Sequence, residues 1–131
     1  MVQIKRMHVP KYVENNTEHS VVLDCIYTLD PEEDLNLVVK WFLNEDPEPI
    51  YQWIAELDTI HVPQKYEGRV NTNFYVSSDN YSINSYRYQK RRALNLIRPT
   101  VEFTGKYACH VMSLHSQASA ESNMIIFGKN I

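Results

Sequence analysis

The sequence predicts an all-β fold: two sheets of short antiparallel strands packed as a sandwich. Three observations carry this expectation. Apolar and polar residues alternate at period two in several short runs, sustained helical periodicity is absent, and two cysteines stand 84 residues apart with a tryptophan between them. A chain of 131 residues suits one domain, 1–131, with its core expected over about 20–127. Hydrophobic residues make up 44%, enough for one core, and 22% charged residues argue against intrinsic disorder.

Candidate strands run over 2–7, 20–27, 37–43, 50–54, 69–76, 91–97, 105–114 and 123–127. Pro31, Pro47, Pro49, Pro63 and Pro99 fall between these runs or at their edges, where a missing backbone donor does least harm. Alternation assigns the faces. Val21, Leu23, Cys25 and Tyr27 form one inward set; Leu37, Val39, Trp41 and Leu43 form another; Leu94 and Leu96 form a third.

Two cysteines, Cys25 and Cys109, allow only one intramolecular bridge. Closing so long a loop restricts the unfolded chain by roughly 4–5 kcal/mol in the chain-entropy account. Trp41 follows Cys25 by 16 residues, on a strand where its indole can lie against the bridge. In Thr104-Gly105-Lys106-Tyr107-Ala108-Cys109 a tyrosine precedes the second cysteine by two residues. That is the tyrosine-corner position, where the ring is buried and the hydroxyl bonds to upstream backbone.

With these residues in place, 20–127 resembles an immunoglobulin V-type domain. The long stretch between Trp41 and Leu94 has room for the additional C′ and C″ strands of that type. One position departs. The V pattern usually carries Asp two residues before the corner glycine, and Phe103 stands there. The resemblance would pair such an Asp with Arg69; Glu102, next door, points the wrong way in a strict strand register.

Four segments are similar to the first immunoglobulin domain of arthropod cell-surface proteins of the beaten-path type: Leu23-Asp24-Cys25-Ile26-Tyr27, Val38-Val39-Lys40-Trp41-Phe42, Pro49-Ile50-Tyr51-Gln52-Trp53 and Thr104-Gly105-Lys106-Tyr107-Ala108-Cys109-His110-Val111. His110 and the stretch 76–92 depart from that pattern. The resemblance implies extracellular recognition of another immunoglobulin-type receptor ectodomain.

If Trp41 and Cys109 point inward, Lys40, Phe42, Ala108, His110 and Met112 point outward from the C, C′, F, G sheet. Tyr51 and Trp53 on the C′ run are expected to join them, giving a patch rich in residue types that dominate interfaces. Pairing of two copies through this sheet is one form such binding can take. On this reading, replacing Phe42 and Trp53 together by Ala abolishes partner binding and spares the melting temperature. The alternative is that these are ordinary sheet residues covered by neighbours.

The run Tyr86-Arg87-Tyr88-Gln89-Lys90-Arg91-Arg92 interleaves aromatics with cations. It reads as a solvated connection or as a grip for sulfated glycan or an acidic partner, so a soluble humoral protein capturing glycan or small ligands is the second functional hypothesis. Heparin retention lost on Arg91→Ala/Arg92→Ala would favour it. Nucleic acid is disfavoured by a net charge of −3. Asn15-Asn16-Thr17 and Asn80-Tyr81-Ser82 match the glycosylation acceptor pattern.

Chemistry finds little footing, so neither an enzyme, a cofactor nor a metal is expected. The five histidines lack metal-ligand spacing, and three glycines build no phosphate loop. Glu32-Glu33-Asp34 lacks the template of a cation loop and reads as a solvated turn. No apolar run approaches the ~20 residues of a membrane span. The opening Met1-Val2-Gln3-Ile4-Lys5-Arg6 has no apolar signal core, yet a disulfide domain needs an oxidising compartment. The export signal and any anchor are therefore expected outside this sequence, and the domain outside the cell.

Overall fold

The computed structural model describes residues 1–15, 20–31 and 36–128. Among them nine strands form two sheets: β1 (Gln3–His8), β2 (Tyr12–Glu14), β3 (Val21–Thr28), β4 (Val38–Leu43), β5 (Tyr51–Ile54), β6 (Thr59–His61), β7 (Leu94–Leu96), β8 (Gly105–Met112) and β9 (Gln117–Phe127). The smaller sheet runs β1-β3-β7 and the larger β2-β9-β8-β4-β5-β6. The expected sandwich is there, with β4, β5, β8 and β9 in the places of C, C′, F and G.

Alternation works as anticipated on β3 and β4. Val21, Leu23, Cys25 and Tyr27 are buried on β3, and Val39, Trp41 and Leu43 on β4. Cys25 and Cys109 are disulfide-bonded, with Cα atoms 6.5 Å apart. Trp41 is fully enclosed beside them and its Nε1–H donates to the Arg92 carbonyl at 2.9 Å. The Tyr107 hydroxyl donates to the Phe103 carbonyl at 2.5 Å, as the tyrosine corner requires. Gly105 is needed there for a steric reason. A Cβ on it would fall inside the contact distance of the Asn44 carboxamide. That carboxamide accepts from Lys106 N–H at 2.9 Å and donates to the Thr104 carbonyl at 3.2 Å.

Several elements differ from expectation; the strand expected over 91–97 is shorter, Leu94–Leu96, and that expected over 123–127 is longer, Gln117–Phe127. The first edge strand splits around Val9 and Pro10: β1 pairs with β3, then β2 crosses to pair parallel with β9. A proline has no N–H to extend the first ladder, so the chain is free to change sheets there. The expected strand over 69–76 shrinks to one bridge, Val70 with Leu96. Beyond it the Asn71 side chain accepts from Asn73 N–H at 3.0 Å, an Asx turn that ends pairing. β6 pairs with β5 in the place of C″, within the stretch that had room for it, although none of the candidate strands covered its three residues.

Candidate functional site

Register places three rows of side chains on the outer face of the larger sheet. The first reads Thr59, Ile54, Val38, Met112, Gln117; the second His61, Gln52, Lys40, His110, Ser119; the third Phe42, Ala108, Glu121. Lys40, Phe42, His110 and Met112, expected to point outward, do so and are partly exposed. Val38, Gln52 and Ile54 belong with them and were missed. Val38 could have been found, since it shares the period-two phase of Lys40 and Phe42. Apolar Val38, Ile54 and Met112 thus occupy one end, a polar belt the middle, and Phe42 the other end. Phe42 leans on His110, ring centroids 4.8 Å apart. A shallow hollow of about 280 Å³ opens beside it, its lining including Phe42, Pro47, Lys106, His110 and Glu121. Lys106 bonds Glu45 at 2.6 Å, and that hydrogen bond holds the Glu45 carboxyl below the usual carboxylate range.

Tyr51 and Trp53 are not on this face. Tyr51 lies opposite Trp41, and Trp53 opposite Val39, so both share the inward side of the sheet. They are 1% and 0% exposed. Their polar ends are satisfied inside: the Tyr51 hydroxyl donates to the Arg91 carbonyl at 2.8 Å, and Trp53 Nε1–H to Asp58 at 3.0 Å. The expectation that Phe42→Ala with Trp53→Ala would spare stability is withdrawn for that reason.

His110 is the titratable centre of the face. Burial, and then the neighbouring Lys40 charge, hold its imidazole below the ordinary value of about 6.5. Both effects favour the neutral imidazole. The folded state binds its proton less readily than the unfolded chain, so this contribution to stability is present above the unfolded value and lost as pH falls below it. A proton NMR titration is expected to place the His110 midpoint under about 6.5, and Lys40→Met is expected to move it upward. A midpoint unmoved by that substitution would remove Lys40 from the account.

The basic run proves to be neither a free cationic grip nor a purely solvated connection. Tyr86 ends a short helix, α1 (Ile83–Tyr86), Arg87 caps it, and the chain then turns against the core. The carbonyls of Tyr88, Arg91 and Arg92 accept from Tyr27, Tyr51 and Trp41 respectively. Lys90 and Arg91 bind Asp58 at 2.8 and 3.1 Å, and Arg92 is 6% exposed and paired with Asp24. The Arg91/Arg92 substitution would thus disturb packing as much as any glycan site. Arg69, lacking the Asp of the V pattern, stacks over Phe103 with 4.8 Å from guanidinium carbon to ring centroid. Glu102 does approach it, at 3.8 Å, because 101–103 forms a 3-10 turn in which strand register does not apply. Exposed as it is, that pair contributes little.

Asn80 is exposed and Asn15 half-buried. Asn16, Thr17, His19 and Glu32-Glu33-Asp34 lie outside the described residues. No helix among the described residues is long and apolar enough to cross a membrane.

No family model and no curated protein matches the chain. Among solved structures, the human B7-H4 IgV-like domain is similar: TM-score 0.62 and 12% identity, covering 98% of this chain and 97% of that one. The fold is thereby an immunoglobulin-like V-type β-sandwich. So large a set of solved chains, 1234, shares the likeness that it speaks for architecture and not for a partner.

Proposed function

We propose that this is an exported recognition domain that binds another protein, an immunoglobulin-type receptor ectodomain, through the outer face of the six-stranded sheet. The observation that carries the reading is the placement of Phe42 against His110, with Lys40 and Met112 beside them, on the outward side of paired strands and partly open to solvent. The Phe42 and His110 rings, held on a rigid sheet, lose little entropy on docking, and the flexible Met112 side chain can adapt its shape to a partner. The disulfide supports an oxidising compartment. Glycan capture by the basic run is less favoured, because Asp58 holds Arg91 and Asp24 holds Arg92, which leaves Arg87 as its exposed arginine.

Phe42→Ala with Met112→Ala tests the reading. In a binding screen against receptor ectodomains and against a second copy of the chain, the double variant is expected to weaken capture at least tenfold, about 1.4 kcal/mol. Its melting temperature should stay within a few degrees of wild type, since both side chains lie on the outward face and are partly hydrated already. Undiminished capture would exclude this face.

A further inference from the structure

We infer that Asn80, and not Asn15, carries an N-linked glycan, and that this glycan shields the outer side of the β1-β3-β7 sheet; the inference rests on the exported reading above. Both asparagines open an acceptor triplet. The triplets are equivalent as sequence, but the fold treats their first residues differently.

Asn80 is exposed in a tight turn, at φ 70°, a conformation that asparagine tolerates better than most residues. The turn is closed by Tyr81 N–H donating to the Ser78 carbonyl at 3.2 Å and Asp79 N–H donating to Ser77 Oγ at 3.1 Å. The Asn80 carboxamide itself makes no hydrogen bond to any described residue. Tyr81, the middle residue of the triplet, anchors the turn from below. Its hydroxyl accepts from Arg92 at 2.7 Å, and the guanidinium carbon lies 5.8 Å from its ring centroid. Ser82, the third residue, is exposed and caps α1 by accepting from Ser85 N–H at 3.1 Å. The acceptor nitrogen is thus displayed on a held turn with nothing to release.

Asn15 is the opposite case. Its backbone N–H donates to the Phe127 carbonyl at 2.7 Å, tying it to the end of β9. Its Oδ1 is enclosed, with no hydrogen-bond partner among the described residues. Exchanging the two ends of the amide would enclose the nitrogen instead, so either orientation leaves one end shut in. A sugar is carried on the amide nitrogen, and an amide shut in at one end has little freedom to turn that nitrogen outward.

Transfer forms a bond between Asn80 Nδ2 and the anomeric carbon of the first N-acetylglucosamine. The donor is a lipid-pyrophosphate-linked oligosaccharide: the lipid pyrophosphate leaves with the bonding pair, and the amide nitrogen gives up one proton. Asn80 borders an open hollow of about 620 Å³ whose floor includes Arg6, Asp24 and Ile26, outward residues of β1 and β3. A glycan rooted there covers that flank with bulky, hydrated sugar. The six-stranded face is left as the open side.

The full-length protein, expressed in secreting eukaryotic cells, is compared before and after endoglycosidase treatment. Wild type, Asn15→Gln and Ser82→Thr are each expected to drop by a single glycan-sized step. Asn80→Gln and Ser82→Ala, which remove different atoms of the same triplet, are expected to show none. A step that survives Asn80→Gln, or two steps on wild type, overturns the assignment. Secreted, disulfide-bonded wild type without any step overturns the glycan and leaves the exported reading standing. Protein retained in the cell with both thiols free overturns both.

Discussion

Trp53→Ala is expected to cost about 3–5 kcal/mol of stability, read as a shift in denaturant midpoint with unchanged slope. The indole is wholly enclosed on the strand next to that of Trp41, opposite Val39 across the ladder, so its removal leaves a cavity in the core. Truncation also removes the Nε1–H donor from Asp58. That carboxylate keeps Lys90 and Arg91, so the lost hydrogen bond adds little beside the cavity. Phe42→Ala should lose far less, because the ring lies on the outward side and is partly hydrated already. The contrast is the informative quantity. Equal midpoint shifts for the two variants would contradict the inward phase of β5.

That phase shows where sequence reading runs out. On β3 and β4, apolar side chains fall on one face and mixed ones on the other, and the cysteines and Trp41 fix which face is inward. On β5, Tyr51 and Trp53 are amphipathic and suit either a core or an interface. Gln52 between them was the available clue, since a polar residue in the opposite phase argues that the aromatics face in. The outer-face residues Lys40, Phe42, His110 and Met112 were legible because they alternate with Trp41 and Cys109. The strand expected over 69–76 failed for a local reason, the Asn71 side chain capturing the backbone of Asn73. Long-range charge pairing was beyond reach. Arg91 meets a carboxylate 33 residues away and Arg92 one 68 residues away, and no period or motif encodes either meeting.

Asp24→Ala should be comparably severe, about 3–5 kcal/mol, the usual cost of stripping one partner from an enclosed ion pair. Arg92 presents two nitrogens to this carboxylate, Nε to Oδ1 at 2.9 Å and Nη2 to Oδ2 at 3.2 Å. The side chains are 8% and 18% exposed, so the guanidinium is the more deeply enclosed of the two. Among the described residues, removing Asp24 leaves that charge with the neutral Tyr81 hydroxyl and Gln89 Oε1 as hydrogen-bond partners, at 2.7 and 2.9 Å. Arg92→Ala should cost less, because Asp24 retains more water and still accepts from Cys25 N–H at 2.7 Å. The inequality can be turned into a measurement of charge burial. If desolvation dominates, Asp24→Leu with Arg92→Met recovers much of the loss seen for Asp24→Ala, as apolar replacement of enclosed pairs often does. If geometry dominates, the double replacement stays as unstable as the single one, because Tyr81 has lost its donor and the turn bearing Asn80 is no longer held against β3. Limited proteolysis within 77–91 separates these outcomes, since a released turn is cut faster at equal global stability. Losses below about 1 kcal/mol in all three variants would mean that the pair behaves as an exposed surface bridge, and the anchoring role given to Arg92 would fail.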